Sequence, residues 1–288
     1  MGMPQPSGQS DPPHDPDHVK LTERDFTRVA SRINALAGIQ LEAHKAQMIQ
    51  SRLTRRVRAR HLSSITEYLD LLDGPDGGDE IQSFIDTLTT NLTSFFREKH
   101  HFDHLRQTVL GGPGAGDRGL RIWSAGCSTG EEPYSIAMTA AAALGPKAQA
   151  LKVLATDLDS SVVARAKAGT YEKAKYEDTV GPEFSKYFKP ATETGKVLIA
   201  PEIRNMITFR QLNLMEAWPM KGPFDAIFCR NVVIYFSAET KARLLDRYAT
   251  LLAPGGILYL GHSEAILGEH KFFKSLGNTI YQRKDASE

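Results

Sequence analysis

The chain has 288 residues, 41% hydrophobic and 24% charged, and its 35 basic and 34 acidic side chains leave a net charge of +1. That is ordinary globular composition, and it argues against a partner recruited by overall charge, so any electrostatic recognition must come from local clusters. The only cysteines, Cys127 and Cys229, form no CxxC pair, which argues against a disulfide scaffold or a zinc site and suits a reducing compartment.

Residues 1–18 carry five prolines and little to bury, and read as a disordered tail with no apolar signal-peptide core. A helical module is expected over 19–90. Thr22 is placed to cap a first helix with acids in its opening turn. A second helix over residues 44–60 sets Ile49, Leu53 and Val57 on one apolar stripe at i, i+4 spacing. A third runs over residues 64–72, is broken by the Gly/Pro/Asp run 73–78, and a fourth begins near Glu80. The second helix is also basic: Lys45, Arg52, Arg55, Arg56, Arg58 and Arg60 stand against a single acid, Glu42. Arg52, Arg55 and Arg56 fall at i, i+3, i+4 and can share a face. Such a run is most often just a solvated surface.

After a second glycine-rich break at 111–116 the rhythm changes. Strands are expected at 120–123, 152–155, 207–210, 225–229 and 257–261, alternating with helices at 132–144, 160–168 and 238–252. This alternation means a mostly parallel sheet with helices on both faces, over residues 91–288. Residues 171–206 interrupt it with a short helix and a β-rich piece, read as a small inserted β-subdomain. The apolar pairs around Leu276-Gly277-Asn278 predict a terminal antiparallel hairpin. The charge-free stretch 248–263 contains Pro254, Gly255 and Gly256, so it is not one membrane helix. A cytoplasmic monomer without membrane insertion is expected.

The chemistry gathers at strand ends. Trp123-Ser124-Ala125-Gly126-Cys127-Ser128-Thr129-Gly130-Glu131-Glu132 makes a strand, a small-residue turn and a helix start, which is a ligand crevice in a parallel sheet. The dinucleotide fingerprint G-x-G-x-x-G is absent, and glutamates stand where a pyrophosphate would sit. They suit a ligand with a cationic end, such as S-adenosylmethionine. Asp157 ends the next strand, placed to accept both hydroxyls of a ribose. Asn213 follows strand 207–210, where an amide can read an adenine edge. Arg230, Asn231 and Tyr235 follow strand 225–229.

Three stretches taken together carry a specific resemblance: Asn91-Leu92-Thr93-Ser94-Phe95-Phe96-Arg97, Trp123 through Tyr134, and Phe224 through Phe236. The chain resembles the chemotaxis receptor methyltransferases (CheR-type) from about Leu21 to its end. The resemblance implies an all-helical N-terminal domain and a class I S-adenosylmethionine-dependent methyltransferase sheet of α/β class, Rossmann-like and mostly parallel. It also implies O-methylation of receptor glutamates, with S-adenosylhomocysteine as product. By residue it implies cofactor contacts at Asn91, Thr93, Arg97, Glu132, Asp157, Asn213, Leu214, Arg230 and Asn231, with Tyr235 beside the transferred methyl. Arg97 would steer the substrate carboxylate or hold only the cofactor carboxylate. The face bearing Arg52, Arg55 and Arg56 would dock acidic methylation helices.

A glutamate carboxylate, with a pKa of about 4.3, is already ionised at neutral pH and needs no general base. The absence of a Ser/His/Asp set, a cysteine nucleophile or metal-ligand spacing fits that chemistry, and His100 and His101 read as helix-surface residues. Two other functions compete. A nucleic-acid methyltransferase would use the basic helix on phosphates, but no Asn/Asp-Pro-Pro-Tyr-type motif is present, so no nucleic-acid partner is expected. A non-catalytic adenosylmethionine-binding signalling protein would not need Arg97, Asp157 and Tyr235 intact. Some relatives grip a receptor C-terminal pentapeptide with the β-subdomain. Here the matching loop, residues 189–196, looks short, holds one glycine and contains Pro190, so no peptide tether is expected.

Overall fold

The computed structural model describes residues 19–112 and 119–285; the tail at 1–18 and most of the second glycine-rich break lie outside them. Helix α1 (Glu23–Ala37) opens on a capping box, in which Thr22 and Asp25 exchange side-chain to backbone bonds. It ends at Gly38 in the left-handed region, where a Cβ would lie 2.6 Å from the Met215 sulfur. Glycine there lets the helical module close onto the sheet domain. Helix α2 (Ala46–Ala59) starts two residues later than its pattern suggested, after a 3₁₀ turn, and buries Ile49, Leu53 and Val57. Helices α3 (Ile65–Asp73, capped by Ser64) and α4 (Gly78–Leu88) complete the module.

Residues 89–99 form an irregular segment that leads into the short helix α5 (His100–His104). The sheet domain follows as β1 (Arg121–Ala125), α6 (Glu131–Leu144), β2 (Lys152–Asp157) and α7 (Ser160–Ala168). Next come β3 (Thr170–Glu172), α8 (Lys173–Glu177), β4 (Phe188–Pro190), β5 (Lys196–Ile199) and α9 (Pro201–Arg204). The chain closes with β6 (Ile207–Gln211), β7 (Phe224–Cys229), α10 (Ala238–Leu251), β8 (Leu252–Leu260), β9 (Phe273–Gly277) and β10 (Ile280–Arg283). Seven strands make one sheet in the order β6-β2-β1-β7-β8-β10-β9, and β3-β5-β4 form a separate antiparallel sheet. The large sheet is parallel except at β10, which runs antiparallel to both β8 and β9.

Each face of the large sheet has its own core. One packs α6 and the small sheet against Ile122, Val153 and Phe228; the other packs α10 and helices α1–α4 against Trp123, Ile227 and Leu258. The strand order reverses between β1 and β7, so the carboxyl ends of β2, β1 and β7 open into one crevice at the switch point. The helical module covers that crevice. Gln82 donates to the Leu158 carbonyl (3.1 Å), Ser160 donates to Asp86 (2.7 Å), and Asn213 donates to the Leu36 carbonyl (2.8 Å). Among the described residues no helix is long and apolar enough to cross a membrane.

The basic face of α2 is less free than its spacing suggested. Arg56 donates twice to Glu80 (2.8 and 2.5 Å), whose buried carboxylate also accepts from Tyr68. Arg52 donates to the Thr87, Leu88 and Thr89 carbonyls, closing the orphan end of α4. Arg55 is the exposed member of the trio. Two of the three guanidinium groups thus hold the module together. Glu80→Ala should cost about 2–4 kcal/mol of unfolding free energy, because Arg56 and Tyr68 lose a charged acceptor. Arg55→Ala should cost less than about 0.5 kcal/mol. Urea unfolding of both variants checks this, and equal effects would contradict it.

Candidate active site

The sequence-predicted residues Asn91, Thr93, Arg97, Glu132, Asp157, Asn213, Leu214, Arg230, Asn231 and Tyr235 all line a single cavity at the switch point. Arg52, Arg55 and Arg56 do not. The remaining wall comes partly from the helical module, through Ala37, Ile39, Leu41, Lys45 and Met48, to which the sequence reading gave no site role.

The floor is the β1–α6 turn. Gly126 has φ 120°, and a Cβ there would sit 2.2 Å from the Val232 side chain. Only glycine permits this approach. Asp157, at the end of β2, accepts from the Ser128 and Asp159 amides (2.7 and 3.0 Å), one on each oxygen. Each oxygen keeps a further lone pair for a ligand hydroxyl. Burial pushes the Asp157 carboxyl up to about 6.

Of the two glutamates at the start of α6, Glu131 is bound by the Thr129 hydroxyl and lies away from the cavity, whereas Glu132 lines it. Glu132 accepts from Ser124 (2.7 Å) and from the Arg230 guanidinium (3.2 Å). Arg230 also donates to the Arg97 carbonyl and stands 3.6 Å from Glu98. Arg97 lies between two non-glycine residues in the left-handed region, Phe96 (φ 53°) and Glu98 (φ 57°); Ser128 and Asn231, elsewhere on the cavity wall, share that strained conformation. Strained backbone of this kind concentrates where a fixed geometry matters. The Arg97 side chain donates to the Leu92 carbonyl, and Leu92 itself is 81% exposed on the cavity wall.

The Asn213 side chain donates to Leu36 and Glu216 and accepts from the Met215 amide, which ties the loop after β6 to α1 at the cavity wall. Two expectations change. His101 is fully buried, not a surface residue. It bonds the Asn278 carbonyl (3.0 Å) and lies 3.5 Å from Glu98, and burial depresses its pKa to about 4. His100 is exposed, as expected, but Glu98, His100 and His101 do cluster at ligand-like spacing, a pattern missed because their side chains meet only in the fold.

Two buried acids that shape the site went unnoticed in the sequence. Asp159 caps α7 through the Ser161 and Val162 amides, and its other oxygen accepts from Thr89 (2.8 Å) and Asn91 (2.7 Å). An Asp just before a helix was the available signal. Glu264, the first charge after the charge-free stretch 248–263, binds the loop after β7.

Matching to family models agrees with this architecture. Residues 24–89 match the all-alpha domain of CheR methyltransferases, and residues 91–282 match their SAM-binding domain. The chain belongs to the CheR methyltransferase family. Chemotaxis protein methyltransferase 2 of Pseudomonas aeruginosa is 44% identical over 90% of this chain and 93% of its own length. The chemotaxis protein methyltransferases of Klebsiella aerogenes and Escherichia coli are 42% and 41% identical, over 91% and 92% of this chain and 90% and 92% of their own lengths. This CheR-family chain is an S-adenosylmethionine-dependent methyltransferase, and the cavity fits that cofactor. Its wall offers the Asp157 carboxylate for hydroxyls and an apolar flank at Ile39, Leu212 and Phe236.

If ribose hydroxyls donate to Asp157, binding needs its ionised form. The raised pKa then makes affinity fall as the pH drops through about 6. Calorimetry with S-adenosylhomocysteine should show about ten-fold weaker binding at pH 5 than at pH 7. Asp157→Asn should weaken binding and flatten that dependence; an unchanged pH profile in the variant would remove Asp157 from the site.

Proposed function

We propose that this chain is a protein-glutamate O-methyltransferase acting on the acidic cytoplasmic helices of chemotaxis receptors, with glutamate methyl esters and S-adenosylhomocysteine as products. The observation that carries the proposal is the environment of Tyr235. Its half-buried phenol lines the cavity together with Thr90 and Arg97, and Lys45 lies 5.7 Å from its ring. Burial raises its pKa, so the phenol stays protonated as a hydrogen-bond donor. A guanidinium group and a phenol donor on one cavity wall form a receiver for a carboxylate.

Bound S-adenosylmethionine supplies an electrophilic methyl group on a sulfonium. The chain's own residues have the simpler task of orienting an ionised carboxylate and stripping its water. Arg97, fixed between its left-handed neighbours, serves that orientation, and Tyr235 donates to the same group. The acceptor arrives ionised, so no residue is asked to remove a proton. The exposed Arg55 adds positive charge for an acidic helix outside the cavity.

The named relatives are chemotaxis protein methyltransferases, which supports receptors as the substrate class. Direct engagement of the methylation helices, without a peptide tether, is part of the proposal. Strand β4 forms one edge of the small sheet and is only three residues long, and its last residue, Pro190, has no N–H to offer an added strand.

One assay tests both parts. Receptor-containing membranes incubated with the protein and methyl-labelled S-adenosylmethionine should acquire label that mild base releases as methanol. An excess of receptor C-terminal pentapeptide should leave the rate unchanged. Base-stable label on nucleic acid, or no label, would contradict the reaction; inhibition by low-micromolar peptide would contradict tether-free docking.

A further inference from the structure

Glu264 lies in the loop after β8, 5% exposed, and does not line the cavity. Its partners are backbone amides. Oε2 accepts from Asn231 (2.7 Å) and Gly261 (2.6 Å), and Oε1 accepts from Ile234 (3.1 Å). Two of these three donors belong to the turn that leaves β7 and carries Asn231 and Tyr235 to the cavity wall.

That turn has poor support of its own. Asn231 sits at φ 59°, and the following 3₁₀ helix, Val233–Tyr235, has no side-chain cap. A buried carboxylate facing several amides supplies the missing acceptor, with bonds stronger than a neutral group would make. The fit leaves no slack: a Cβ at Gly261 would lie 2.6 Å from the Asn231 side-chain nitrogen and 2.7 Å from Glu264 Oε2. The charge of Glu264 also acts on Tyr235, opposing ionisation of the phenol.

We infer that Glu264 is the positioning residue of the methyl-transfer site, holding Asn231 and Tyr235 in place by binding the backbone of their turn while touching neither cofactor nor substrate. This rests on the site proposed above. The Gln isostere keeps size and one oxygen but replaces the other with an NH₂ group that faces amide donors. The turn is then mis-set locally while the core around it stays filled.

The test uses the full chain and Glu264→Gln, with Glu264→Asp measured in the same way should the Gln variant not fold. Readouts are S-adenosylhomocysteine affinity by calorimetry, kcat and KM on receptor membranes, and the thermal midpoint. Affinity should fall about ten-fold, and kcat by about ten- to a hundred-fold, with the midpoint moving only a few degrees. In a Tyr235→Phe background the same substitution should cost much less in kcat, because the two losses share one cause. Wild-type affinity and turnover in the variant would overturn the inference, as would additive losses with Tyr235→Phe, or activity lost only in proportion to unfolded protein. Failure of the wild-type chain to bind S-adenosylhomocysteine would instead remove the site reading, and this inference with it.

Discussion

The arrangement of the site depends on one buried cation. Arg230 leaves the end of β7 and is 6% exposed, held by Glu132 at the start of α6, by the Arg97 carbonyl and by the nearby Glu98. A guanidinium taken out of water is costly unless it is paired and hydrogen-bonded, so these three segments are constrained to meet around it. The irregular segment 89–99 has no ladder or helix bonds of its own, and this constraint fixes where Arg97 stands. Glu132 is affected as well: burial raises its pKa, and Arg230 works against that.

A second set of acids extends the same logic with hydrogen-bond donors in place of a cation. Asp159 draws the Thr89 and Asn91 side chains against the N-terminus of α7, Asp157 receives the Ser128 and Asp159 amides, and Glu264 receives the turn after β7. Each converts an irregular strand-end connection into a fixed wall. The helical module then closes the top through Gly38, Asn213 and the bond from the Gln40 amide to the Tyr235 carbonyl. The ligand cavity is therefore a product of both domains, although the sheet alone supplies the strand ends.

What the sequence made legible follows from what is local. Periodic stripes such as Ile49, Leu53 and Val57, caps such as Thr22 and Ser64, and the alternation of strands with helices are each written within a few residues, and the fold class could be read from them. Short motifs at strand ends likewise announced Asp157 and Arg230. Contacts across long separations were not legible. Arg52 and Arg56 share a helix face by spacing, yet their partners lie 24 or more residues away in α4 and just beyond it. His101 looked exposed because nothing near it in sequence reveals that the β9–β10 turn covers it. Glu264 had no periodic context at all, only an acid ending a charge-free run.

The central question is whether Arg230 and Glu132 act as one unit in forming the cofactor site. A double-mutant cycle with Glu132→Gln and Arg230→Met, read as S-adenosylhomocysteine affinity by calorimetry, measures that directly. Each single variant should lose affinity, and the double variant should lose little more than the worse single one, a coupling of more than about 1 kcal/mol. Losses that add to within about 0.5 kcal/mol would show that the two side chains serve the site independently, and would contradict the account.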